Sequence, residues 1–113
     1  MARVRDVSGR QAPEAVNFAF LKGYAGGDET LVREVLAIFR AEAGEWAARL
    51  REGADAWRPL VHTMKGASRT VGADRLGDLC ERAEDDGGAS LPRVRAELDR
   101  VLARIDGYLA APF

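Results

Sequence analysis

The chain of 113 residues has one cysteine and one histidine, and each scarcity removes a class of function. With Cys80 alone there is no intramolecular disulfide and no cysteine-based zinc site. Cys80 lies in "LGDLCERAE", beside Leu76 and Leu79 at helical spacing, which predicts a buried core thiol. No apolar run approaches the roughly 20 residues that span a bilayer. The opening "MARVRDVSGRQAP" has arginines but no apolar core of a secretory signal. The net charge of −1 gives no bulk attraction to nucleic acid or an anionic membrane. A reducing, cytoplasmic setting fits these exclusions. Glycine-rich phosphate loops of the GxxxxGK[ST] or kinase type are absent, as is a GxSxG nucleophile motif, so nucleotide binding and serine hydrolysis lack support. No segment alternates with period two, so no sheet is predicted.

Apolar residues make up 47% of the chain and charged residues 31%, a globular balance sufficient for one core. Residues 1–12 are polar, basic and unpatterned, and predict a flexible tail ahead of one helical domain over 13–113. A short first helix is expected from Pro13, with Val16, Phe20, Leu21 and Tyr24 at helical spacing and Gly26-Gly27 ending it. The second opens at the N-cap Asp28, carries a stripe of Leu31, Val35, Ile38, Phe39, Trp46 and Leu50, and closes at Gly53. The third runs from about Asp55 to Val71, with Pro59 in or near its first turn because deeper placement would cost about 3 kcal/mol. The fourth covers about Ala73 to Asp86 with Leu76, Leu79, Cys80 and Ala83 inward. Ser90 caps the fifth, whose stripe is Leu91, Val94, Leu98, Val101, Leu102, Ile105, Tyr108 and Leu109. Four long amphipathic helices with short connections define an all-α, up-down-up-down four-helix bundle, with the short N-terminal helix across one end.

The third helix contains the only histidine, in "VHTMKGASRTVG". At about 100° per residue, Trp57, Leu60, Val61, Met64, Ala67, Ser68 and Val71 share the core face. His62 falls away from it, on the side of Lys65, Gly66 and Arg69, with Arg58 one turn earlier. That placement predicts an exposed histidine. No acidic residue lies between Arg58 and Arg69, so the sequence reads as a cationic stripe. Gly66 costs about 1 kcal/mol relative to alanine inside a helix, and its missing side chain leaves space beside the imidazole.

An exposed imidazole nitrogen is nucleophilic near neutral pH, since the ordinary imidazole pKa is about 6.5. Adjacent cations would stabilise charge on a phosphoryl group passing to or from it, and Lys65 and Arg69 lie on the right side. Metal binding is the weaker reading, because one histidine among basic neighbours lacks carboxylate partners. Most lone exposed helical histidines have no function, and periodicity by itself leaves the two readings near even.

The stretch "HTMKGASRTVGADRLGDLCERAE" resembles the histidine-containing phosphotransfer (HPt) domains of phosphorelays, whose recurring pattern is H-x-x-K-G-x-[SA] with a leucine helix downstream. The upstream "GGDETLVREVLAIFRAEA" resembles the helix that precedes it, so the likeness spans roughly 16–109. Met64 stands where leucine is common, a volume-conserving exchange, and Pro59 close to the histidine is unusual. The resemblance implies that His62 accepts a phosphoryl group on the ring nitrogen farther from the backbone. It implies that Lys65 supports that group, and that Gly66 gives the partner access. Arg69 is not fixed in the pattern, so its phosphoryl-stabilising role rests on geometry.

The implied partners are response-regulator receiver domains and a hybrid sensor kinase. The receiver carries Mg²⁺ in its own acidic pocket, and this chain needs no cofactor or metal. A cytoplasmic monomer, a phosphohistidine carrier rather than an enzyme with an ATP site, is the expectation; Met1 and the end soon after the last helix suggest a free-standing module. Docking is expected on helices two and three, with the first helix and Phe18 as an apolar edge. The alternative is a non-catalytic helical adaptor with an incidental histidine.

Overall fold

The computed structural model describes residues 14–112; the tail expected over 1–12 and Pro13 lie outside them. Five helices follow in order: α1 (Phe18–Tyr24), α2 (Glu29–Arg51), α3 (Trp57–Thr70), α4 (Asp74–Asp85) and α5 (Leu91–Ala110). No strand occurs among the described residues. The connections 52–56, 71–73 and 86–90 are short enough to make successive helices antiparallel neighbours, which gives the expected bundle of α2–α5. α4 packs on both α3 and α5, while α2 closes the bundle against α5 and α3.

Local chemistry explains most helix ends. Asp28 Oδ1 accepts from Leu31 N at 3.1 Å, capping α2 as expected. Pro59 is the third residue of α3, inside the first turn, where its missing N–H breaks no helical bond. Ser90 occupies the position before α5 but makes no cap bond. Its backbone N–H and hydroxyl donate to the Asp86 carboxylate instead, which secures the α4–α5 turn. α1 is shorter than expected. It starts after Asn17, whose Oδ1 accepts from Phe20 N at 2.9 Å, while Ala15 and Val16 are buried without being helical.

The stripe expected on α2 needs correction. Leu31 and Ile38 are exposed, and Val35 is half-buried. The residues turned inward are Val32, Leu36, Phe39, Ala43, Trp46, Ala47 and Leu50. Leu31-Val35-Ile38 and Val32-Leu36-Phe39 are adjacent stripes of the same period, so spacing fits either. Packing settles it, because Ala43 and Ala47 continue only the second. The α3 face matches its reading, with Leu60, Val61, Met64, Ser68 and Val71 buried. Cys80 is also buried, and that burial pushes its thiol up to about 12, leaving it without thiolate character at neutral pH.

The α3–α4 corner is fixed by Gly72, which takes φ +84°. Its carbonyl accepts from Asn17 N at 2.9 Å. A Cβ there would lie 2.8 Å from Asn17 O, so the close approach of the two backbones also demands glycine. This contact places α1 at the end of the bundle where α3 finishes. Among the described residues no helix is long and apolar enough to cross a membrane.

Candidate functional site

His62 stands on the second turn of α3, and the core residues on either side of it, Val61 and Met64, are fully buried. Burying such side chains stabilises by about 1.5–3 kcal/mol each, which fixes the rotation of the helix about its axis. The imidazole is thereby turned outward, and its side chain is 69% exposed.

A residue that the sequence reading overlooked completes the site. Glu84, in the last turn of α4, places Oε2 2.9 Å from His62 Nδ1 and Oε1 2.7 Å from Lys65 Nζ. One carboxylate therefore bridges the two residues singled out by spacing. The Lys65 and His62 hydrogen bonds hold the Glu84 carboxyl below its ordinary 4.5. The same bond to Glu84 raises Lys65 above its ordinary 10.5. Glu84 is therefore an acceptor at neutral pH, so Nδ1 of the neutral ring carries the proton. The lone pair is left on Nε2, which makes no hydrogen bond to any described residue.

The cationic stripe is also revised. Arg58 donates from Nη1 to the Glu84 backbone carbonyl at 2.8 Å, and its guanidinium lies 4.8 Å from the Trp57 ring centroid. Lys65 is paired with Glu84. Arg69 Nη2 donates to Asp78 Oδ1 at 2.8 Å and to Glu81 Oε1 at 2.9 Å, and these two bonds raise its pKa. Each cation of α3 is turned toward α4, and the carboxylates of α4 offset Lys65 and Arg69.

Arg69 is thus brought to α4 rather than to His62. Its stem crosses Gly77, where a Cβ would sit 2.8 Å from Arg69 Cγ. Gly66 is different, since a Cβ there would meet nothing within 4 Å. The chain's own packing gives no reason for glycine at that position. Phe18, expected at a docking edge, stacks on Tyr108 with centroids 4.4 Å apart. The exposed aromatics of α1 are Phe20 and Tyr24.

Glu84 escaped notice because it lies 22 residues beyond His62 and reaches it only through α3–α4 packing. A signal was available: Gly77, Glu81 and Glu84 form one line on α4, complementary in an antiparallel pair to Arg69, Lys65 and Arg58.

The antiparallel bundle displays a carboxylate-oriented imidazole beside an unfilled helical position, an arrangement compatible with phosphoryl transfer through histidine. The Hpt domain family matches residues 34–108, and the chain belongs to that family. The chain is similar to histidine phosphotransferase ShpA from Caulobacter crescentus, a crystal structure with 49% sequence identity and a TM-score of 0.75. The match covers 83% of this chain and 89% of that one. No curated protein matches. The chain is therefore a phosphorelay intermediate, a phosphotransfer carrier that works with receiver domains.

Proposed function

We propose that His62 is the phosphoacceptor and that it reacts through Nε2. The observation that carries this is the His62–Glu84–Lys65 bridge, with one ring nitrogen of an exposed side chain anchored and the other bonded to no described residue. In the forward step the Nε2 lone pair attacks phosphorus of an aspartyl phosphate. The N–P bond forms as the acyl O–P bond breaks, and the aspartate carboxylate leaves. The proton on Nδ1 stays in place, so the phosphorylated ring is cationic, and ionised Glu84 stabilises that charge. In the return step the neutral imidazole is the leaving group. One carboxylate thus assists transfer in both directions.

Lys65, one turn from His62, supplies an ammonium to the equatorial phosphoryl oxygens. Gly66 leaves the approach to Nε2 clear. Arg69 holds α3 on α4 and so keeps Glu84 in line, a positioning role in place of direct phosphoryl contact. The Mg²⁺ of the exchange belongs to the receiver's acidic pocket. This chain functions as a monomer without ATP, receiving phosphoryl from the receiver domain of a hybrid kinase and delivering it to a response regulator.

The test is incubation with receiver domains loaded with labelled acetyl phosphate. Acid-labile, base-stable label on the wild type and none on His62→Gln is expected. Equal label on both proteins, or none on either across the receivers, would remove His62 from the reaction.

A further inference from the structure

Two features of the α2 surface have no use in the chain's own packing. The first is apolar. Leu31 and Ile38 are 41% and 66% exposed, with half-buried Val35 between them on the same stripe. On α1, just before the turn into α2, Phe20 and Tyr24 are 47% and 83% exposed, their centroids 6.3 Å apart. The second is ionic. Glu42 and Glu45 are exposed and have no hydrogen bond or ion pair with any described residue.

The orientation of α2 places the acids beside the candidate site and runs the apolar strip from there toward the α1 end of the bundle. Glu29, Arg33 and Arg40 reach α5, at Tyr108, at the Leu109 and Ala111 carbonyls, and at Asp106. The opposite flank, with Leu31, Val35, Ile38 and Glu42, and with Glu45 at its edge, therefore borders α3. On α3, Arg58, Lys65 and Arg69 turn to α4, so Thr63, Gly66 and Thr70 border α2. The antiparallel hairpin through 52–56 sets Glu45 near the level of Thr63, Glu42 near Gly66 and Ile38 near Thr70. Arg49 is also on this flank, about one turn from Glu45 toward the hairpin, and pairs with no described residue.

We infer that the receiver docking on this face is apolar where it meets Leu31, Val35 and Ile38 and basic at its border, its lysines or arginines meeting Glu42 and Glu45. The inference rests on the phosphoryl-transfer reading of His62 and specifies the receiver by its chemistry. An apolar strip with a charged border has the anatomy of a protein interface. The charge argues for the sign of the partner. Lys65 and Arg69 are offset by carboxylates of α4 and Arg58 is held to a carbonyl of α4, whereas Glu42 and Glu45 pair with no described residue and outnumber Arg49, so this flank of α2 presents net negative charge. A partner with an acidic border would be repelled here, and a basic one is steered toward Nε2.

The probes are receiver domains loaded with acetyl phosphate, with kcat/KM for transfer measured at about 50 and about 300 mM salt, across a Debye length that shortens over this range. The fastest-exchanging receiver is expected to be basic around its aspartate pocket, with a kcat/KM that falls as salt rises. Glu42→Lys with Glu45→Lys should lower kcat/KM about tenfold or more at low salt, through KM rather than the maximal rate, and flatten the salt response. Glu42→Gln with Glu45→Gln should give a smaller loss in the same direction. Wild-type protein that is labelled but insensitive to salt, or a charge-reversed protein with wild-type kcat/KM, would overturn the inference and leave His62 as the acceptor. No label on wild-type protein would overturn both.

Discussion

Gly66 illustrates a residue whose cost lies inside the chain and whose use lies outside it. Nothing in the bundle would touch a side chain there, so Gly66→Ala should stabilise the helix by about 1 kcal/mol. Thermal melting should then rise by about 4 °C or more. Gly66→Gln should also melt no lower than wild type yet transfer phosphoryl more slowly, which a stopped-time transfer assay would read. A large loss of stability in either variant would mean that the glycine serves packing. Glu84 is the complementary case, a residue whose geometry fixes a neighbour's chemistry. Glu84→Ala removes the acceptor at Nδ1, so ¹⁵N NMR of the imidazole should show the neutral ring moving toward the Nε2–H tautomer. Transfer should slow in both directions. An unchanged tautomer would separate Glu84 from the reactivity of His62.

At the scale of elements, the α3–α4 pair positions the site. Arg69 crosses Gly77 to bind Asp78 and Glu81, and those partners are largely solvent-exposed, so each bond contributes about 0.2–1 kcal/mol. Arg69→Ala should therefore cost no more than about 2 kcal/mol in denaturant melts. It should slow transfer less than Lys65→Ala, and the reverse order would return Arg69 to the phosphoryl group. The same pair of helices shows what a sequence can and cannot reveal. Period and punctuation placed α2 to α5 within about two residues, and the outward His62 followed from the wheel of α3 alone. The choice between the two adjacent apolar stripes on α2 turns on Ala43 and Ala47, which continue only that of Val32, Leu36 and Phe39; weighing large apolar side chains above alanine favours the other. The line of Gly77, Glu81 and Glu84 marks the face of α4 that meets α3, but which of its acids reaches His62 depends on the rotation of α4 against α3, a tertiary property. Phe18 and Phe20 differ by two positions on α1, and only the docking of that helix onto Tyr108 decides which ring is covered.

Across the whole molecule, several carboxylates are held down by pairing: Glu84 by Lys65 and His62, Glu29 by Tyr108 and Arg33, Asp106 by Arg40, and Asp86 by Ser90. Their folded values lie below their unfolded ones, so their contribution is complete above the ordinary carboxylate range. It is lost as pH falls through the lowered values. Melting temperature should accordingly stay level from neutral pH to about 5 and fall below about 4. A decline beginning near pH 6 would contradict this. The His62–Glu84 bridge is one of these pairs, so acid loosens the bundle and the orientation of the imidazole together.

The most direct test of the account is ³¹P NMR of the phosphorylated protein, with proton–phosphorus couplings used to locate the N–P bond. Phosphoryl on Nε2 of His62, with Nδ1 still hydrogen-bonded to Glu84, is the predicted result. A phosphoryl group on Nδ1, or on any residue other than His62, would contradict it.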